Sequence, residues 1–409
     1  MKINSKNDII DYFKDGFKEK LFIGVENEKF LIDNSSGKRI NYKQTLDVLN
    51  FLKTFGWTEV KEKENLIGLS LNGKSITLEP GNQIELAGGL CKNIHEVCLE
   101  SYNFQDQLNE ACEKYNLKTI SIGHDPSTKT SDVPSNPKER YEIMTSEMPK
   151  NGSLSLNMMY QTAGTQINLD YESENDFKKK FKLISYLTPL SVALFANSPI
   201  AEGKKTGFLS YRSKVWQNTS RGGLPKIFLE DMDFEKYADF ALNYPLLFIY
   251  RDKKYLEANG KSFKDLLSEL EMKDFELHLS TIFTELRLKK YIEIRSLDAC
   301  EWDCHCAGPA FFTGLIYGNL DKALEIISTW DINDVMTAYL DAPKKGLNTE
   351  IGNKKILEWA KVLNALSKEG LEKRNILNTK NNNETVFLKN INKMLEEGKT
   401  KADLTLENI

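Results

Sequence analysis

Two glutamates, Glu26 and Glu28, sit two residues apart in "LFIGVENEKFLI" (residues 21–32), a run that otherwise reads as a β-strand. Glutamate is depleted in strands, and like charges side by side repel. Strand side chains alternate faces, so these carboxylates share one face at roughly 7 Å. A half-exposed antiparallel strand with polar residues outward would show the same pattern. What decides is whether other strands repeat it, and three do. "NQIELAG" (82–88) puts Gln83 and Glu85 opposite Ile84 and Leu86; "TQINLD" (165–170) puts Gln166, Asn168 and Asp170 opposite Ile167 and Leu169. "YIEIRSL" (291–297) puts Glu293 and Arg295 opposite Ile292 and Ile294. A solvated face usually also carries Lys, Thr and Ser; this one carries oxygen ligands and an arginine. Such a face suits a hard cation: Mg²⁺ takes carboxylate oxygens, keeps waters and bridges nucleotide phosphates. Without a cation, gathered carboxylates repel and take up protons. No P-loop and no G-x-G-x-x-G fingerprint is present, so any nucleotide site is of another kind.

The elements that must hold these strands are mixed. Helical periodicity runs over 41–55, 93–115 and 174–196, with Pro189 expected to kink the last, and further helices are expected at 233–243, 262–271, 354–369 and 385–397. No internal repeat or linker stands out. The expectation is an α+β fold: an antiparallel sheet with a metal-binding polar face, flanked by helices. It forms one domain over 1–409, mainly helical from about 340 to 409. The 409 residues are 40% hydrophobic and 28% charged with net charge −4, which argues for an ordinary globular chain and against a nucleic-acid partner. "MKINSKNDIIDYF" lacks the layout of a signal peptide, and no apolar run approaches the ~20 residues of a membrane span. A cytoplasmic protein with no membrane partner is expected.

Six cysteines occur, at 91, 98, 112, 300, 304 and 306. "CEWDCHC" (300–306) gathers three with His305, but structural zinc normally needs a second ligand pair, and the others are scattered. Free thiols are expected. Of the four histidines (95, 124, 278, 305), only His124 in "SIGHDP" has a site-like setting, and a loop role suits it better.

Several segments, in order, resemble the plant and proteobacterial type of glutamate–cysteine ligase: "GVENEKF" (24–30), "LEPGNQIELAG" (78–88), "RYEIMTSEMPKNGSLSLNMM" (140–159), "TQINLD" (165–170), "LFANSPIAEGKKTGFLSYRSKVW" (194–216) and "YIEIRSLDA" (291–299). "GLEKR" (370–374) and "NETVFLKNINKMLEEGKTKAD" (383–403) extend the likeness over nearly the whole chain. The resemblance implies a fold like the catalytic domain of glutamine synthetase. It implies ATP-dependent joining of the glutamate γ-carboxylate to the amine of cysteine through a γ-glutamyl phosphate, the first step of glutathione synthesis. Partners would be ATP, glutamate and cysteine, with two or three Mg²⁺ per site, and the enzyme a monomer or homodimer.

Carried onto this chain, the resemblance makes Glu26, Glu28, Glu85 and Glu293 metal ligands, with Gln166 a further candidate; related ligases of another class have histidine there. Asn168 helps hold phosphate or metal-bound water. Arg295, with Glu293, stabilises the transferring phosphoryl group; the alternative is a plain ion pair with Glu293. Arg212 is the first choice, Arg221 the second, to clamp the glutamate α-carboxylate, since arginine's fork matches a carboxylate bidentately. Trp216 walls the pocket. Lys29 is a further ATP candidate, although a regular strand turns it away from Glu28. Plant members are redox-regulated by intramolecular disulfides; Cys98 lies in a matching "HEVC", but no cysteine follows Cys306, so the late partner is missing. Two other readings stay open: the same chemistry with a different amine acceptor, and a metal-dependent hydrolase, which usually brings histidine ligands.

Overall fold

A computed structural model describes residues 2–302 and 304–409. Its centre is a nine-stranded antiparallel sheet in the order β8-β9-β7-β1-β5-β4-β3-β2, with β6 also pairing β1. The strands are β1 (Ile23–Asp33), β2 (Thr58–Glu62), β3 (Asn65–Leu71), β4 (Lys74–Leu78) and β5 (Ile84–Ala87). β6 (Leu117–Ile120), β7 (Gly164–Leu169), β8 (Leu286–Leu288) and β9 (Ile292–Asp298) complete it. β1 is central: Glu26 faces Gln166 of β7 and Ala87 of β5, and Glu28 faces Glu85. Glu293 of β9 faces Asn168. One extra residue in β9 between Ile294 and Leu297 makes a bulge, a feature that re-aims side chains.

The alternation read from sequence orders this sheet. Ile23, Val25, Ile167, Leu169, Ile292 and Ile294 enter the largest hydrophobic core, and Ile76, Leu78, Ile84 and Leu86 enter a second. Burying these rows at about 25 cal/mol per Å² of apolar surface fixes which face each strand turns outward, because a one-residue slip would invert it.

The flanking helices include α1 (Tyr42–Leu52), α2 (Ile94–Tyr115), α3 (Glu174–Leu194), α4 (Tyr211–Gln217), α5 (Ile332–Lys345) and α6 (Ile356–Arg374). α3 continues through Pro189. The helix expected at 262–271 is instead a 3-10 turn, Lys264–Glu269, because Glu271 and Asp274 form a capping box that starts a new helix at Met272. The stretch 385–397 divides into a 3-10 turn, Glu384–Leu388, and a helix, Lys389–Glu397. Among the described residues no helix is long and apolar enough to cross a membrane.

Cys300 and Cys304, where free thiols were expected, have Cα atoms 5.9 Å apart, within the reach of a disulfide. Cys91, Cys98, Cys112 and Cys306 are free. Cys98, on α2, lies beside the Cys306 thiol.

Candidate active site

The polar face gathers the strand residues singled out in the sequence. Asn168 Nδ2 donates to Glu26 Oε1 at 2.8 Å, and Gln166 Nε2 donates to Glu28 Oε1 at 2.7 Å. The Gly164 N–H donates to Glu28 Oε2 at 2.6 Å. Across the strand pair, Glu85 accepts from the Thr77 hydroxyl. Each amide gives its N–H₂ to a carboxylate, so Gln166 Oε1 and Asn168 Oδ1 are left buried without a donor. Buried acceptors without partners are uncommon, and these stand beside anions.

The electrostatics agree. Burial, then the nearby Glu79 carboxylate, pushes the Glu28 carboxyl up to about 7. Burial and the charges of Glu26, Glu79 and Glu28 raise Glu85 well above the usual carboxylate range. A cation would relieve both groups and satisfy the two orphan oxygens, so the donor set fits Mg²⁺. Among the described residues no three His, Cys, Asp or Glu side chains converge into a metal cage. Mg²⁺ is usually held by one or two carboxylates plus substrate phosphates and waters, which a dispersed floor suits.

Glu293 stands differently. Arg287 grips it with two bonds, Nε to Oε2 at 2.8 Å and Nη2 to Oε1 at 2.7 Å. Arg295 Nη1 donates to Oε1, and Lys289 Nζ lies 3.2 Å from Oε2. Burial opposes ionisation, yet the charges of Arg287, Lys289 and Arg295 hold the Glu293 carboxyl well below its usual range. Without ligands, then, the Glu293 oxygens are engaged by cations. Two guanidinium groups approach the Trp216 ring, Arg212 at 4.5 Å and Arg295 at 5.2 Å from its centre. Arg212 is 1% exposed; its Nη2 donates to the Arg295 carbonyl at 2.9 Å, while Nε and Nη1 have no partner.

Arg221 is placed elsewhere. Its Nε and Nη2 donate to the carbonyl and hydroxyl of Thr281, Nη1 donates to the Pro245 carbonyl, and Tyr244 stacks on it. A guanidinium so committed to a loop holds backbone, which corrects its assignment as a carboxylate clamp. Lys29 does turn away from Glu28: its Nζ reaches Ser121 Oγ at 3.3 Å on the opposite face. His124 is a buried loop residue, its Nδ1 2.9 Å from the Asp125 carbonyl.

Four site neighbours escaped the sequence reading. Glu79 follows β4 at the floor's edge; its charge reaches both Glu28 and Glu85. Arg140, whose buried Nε lacks a partner, lies within that carboxylate's field. Arg287 pairs directly across from Glu293, and Lys289 sits on the turn between them. Centring a hairpin on Lys289–Tyr291 would have placed Arg287 opposite Glu293.

The family model for glutamate–cysteine ligase family 2 (GCS2) matches residues 22–408. The chloroplastic glutamate–cysteine ligase of Medicago truncatula is 38% identical over 98% of this chain and 82% of its own length. Ligase B of Oryza sativa subsp. japonica is 38% identical over 98% and 83%, and the Arabidopsis thaliana ligase 37% over 98% and 79%. In structure, the chain resembles the glutamate–cysteine ligase of Francisella tularensis crystallised with AMP: TM-score 0.53, 12% identity, covering 96% of this chain and 85% of that one. At that identity the likeness speaks for the fold, which is of the glutamine synthetase-like type. The relatives are chloroplastic proteins, which overturns the expectation of a cytoplasmic one. The hydrolase and other-acceptor readings also give way to the family. Matched from residue 22 to 408 and over four-fifths of its relatives' length, the chain belongs to the glutamate–cysteine ligases, which make γ-glutamylcysteine with ATP in the first step of glutathione synthesis.

Proposed function

We propose that the polar sheet face carries out this ligation through a γ-glutamyl phosphate, with Mg²⁺ held by Glu26, Glu28 and Glu85 and by the amide oxygens of Gln166 and Asn168. The observation that carries the reading is the pair of buried, partnerless oxygens, Gln166 Oε1 and Asn168 Oδ1, beside carboxylates that burial and like charge drive toward protonation. When bound, Mg²⁺ supplies charge neutralisation and orientation of the triphosphate. Arg295 stabilises the charge that develops as the γ-carboxylate attacks the terminal phosphorus. Glu293, fixed by Arg287, keeps Arg295 in place and joins the ligand set when substrates bind. Arg212, backed by Trp216, takes the α-carboxylate. The cysteine amine then displaces phosphate, and ADP and the γ-peptide leave. No nucleophilic side chain is needed, since such transfers ask for positioning and electrostatics. The relatives' names point to a plastid as the compartment.

Mn²⁺ binding with a non-hydrolysable ATP analogue, read by electron paramagnetic resonance, tests the assignment. Glu28→Gln removes one carboxylate charge from the floor and is expected to weaken Mn²⁺ binding about tenfold or more, with turnover lost and the fold intact. Wild-type affinity and near-normal activity at saturating Mg²⁺ would remove Glu28 from the ligand set.

A further inference from the structure

We propose that Lys289 is a phosphate-contacting residue of the ligase, its ammonium holding the ATP triphosphate beside Arg295; this rests on reading the sheet face as the nucleotide floor. Three cations converge on the single buried carboxylate of Glu293, and their commitments differ. Arg287 is fully used: besides its two bonds to Glu293, its Nη1 donates to the carbonyls of Leu279, Ser280 and Ile282 at 3.1–3.2 Å. That one pair already neutralises Glu293, so the ligand-free protein has no need of two more cations there. A partly buried ammonium is costly unless something compensates it.

Lys289 is nevertheless turned inward. Its Nζ lies 3.2 Å from Glu293 Oε2 and 3.3 Å from the Tyr291 hydroxyl, and its side chain stays 22% exposed, open to a ligand. Its neighbour Lys290 shows that the turn can place an ammonium in water: it points to Asp15 at 3.4 Å, both side chains exposed. The backbone beneath is pinned, with the Lys289 N–H donating to the Tyr291 carbonyl at 2.9 Å and the buried Tyr171 hydroxyl donating to the Lys289 carbonyl at 3.1 Å. Arg295 keeps its Nε without a partner. Arg287, Lys289 and Arg295 thus set three positive charges on the single carboxylate of Glu293, a local excess at one edge of a carboxylate floor. A multiply charged anion reaching over metal ions is the ligand that balances it, and lysine serves phosphate as a point charge.

The test measures calorimetric affinity for a non-hydrolysable ATP analogue with Mg²⁺, alongside KM for ATP and for glutamate, in Lys289→Met, Lys289→Arg and Arg295→Met. Lys289→Met is expected to weaken the analogue and raise the ATP KM about tenfold, with the glutamate KM unchanged, and Lys289→Arg to restore most of the loss. If Arg295→Met weakens the analogue and Lys289→Met does not, the proposal falls and the nucleotide floor stands. If neither variant changes affinity, the floor reading falls and takes the proposal with it. A Lys289→Met loss that raises both KM values equally, and that Lys289→Arg leaves unrelieved, assigns Lys289 a purely structural role and overturns the proposal.

Discussion

Arg212 is one of the largest fully buried side chains in the protein, yet two of its nitrogens have no hydrogen-bond partner. Its surroundings explain how the charge is tolerated. Burial raises the pKa of the neighbouring carboxyls of Glu285 and Asp298, the charge of Arg212 works against that rise, and Trp216 stacks on its plane. A guanidinium kept planar and short of partners is prepared for a carboxylate. Arg212→Lys is therefore expected to raise the glutamate KM about tenfold or more while the ATP KM changes little, because an ammonium loses the paired geometry. Steady-state kinetics with each substrate varied decides it; equal effects on both, or none, would remove Arg212 from the clamp. At this scale the sequence was legible where side-chain direction follows period two, as for Glu26, Glu28, Glu85, Gln166 and Asn168. It was illegible where direction depends on which strands meet. Glu79 lies just past a strand end, and Arg287 acquires its role only through the β8–β9 register.

Among the elements, the strands declared themselves by alternation, whereas α4, which carries Arg212 and Trp216, did not. It is seven residues long, too short to show a helical period, and its surroundings hold it. Ser210 caps it and donates to Asp298 Oδ1 at 2.9 Å, and the N–H groups of Leu209 and Ser210 donate to the Pro343 carbonyl of α5. α5 thus braces α4. A second brace joins α6 to α2: buried Glu384 accepts from the Ile94 N–H at 2.7 Å and from Arg374 Nε at 3.0 Å. Glu384→Gln keeps the side chain's length but leaves the Arg374 guanidinium without its counter-charge, and is expected to lower stability by about 2–4 kcal/mol, with kcat per folded molecule unchanged. Urea unfolding measures this; a midpoint shift within about 0.5 kcal/mol of wild type would show that the pair adds nothing.

For the molecule as a whole, the carboxylate floor couples stability to pH and to cations. Glu28 has a folded pKa of about 7 against an ordinary 4.5, so near neutrality the folded chain binds a proton that the unfolded chain does not. Stability then falls as pH rises through that range, and Glu85, raised well above the usual range, adds the same sign. Buried His124 and His278, lowered to about 4 and about 3, act oppositely, but only below their ordinary 6.5. Between about pH 6.5 and 7.5 the metal-free protein is therefore expected to lose thermal stability as pH rises, and Mg²⁺ with an ATP analogue to flatten that slope. Identical slopes with and without Mg²⁺ would separate the floor from cation binding. The γ-glutamyl phosphate itself is open to a more direct measurement: turnover with ATP, Mg²⁺, cysteine and glutamate carrying ¹⁸O in its γ-carboxylate, with the released phosphate analysed by mass. Attack by the γ-carboxylate on the terminal phosphorus, followed by displacement by the amine, places one labelled oxygen in each phosphate. Phosphate released without label, or ADP formed equally fast when glutamate is withheld, would contradict it.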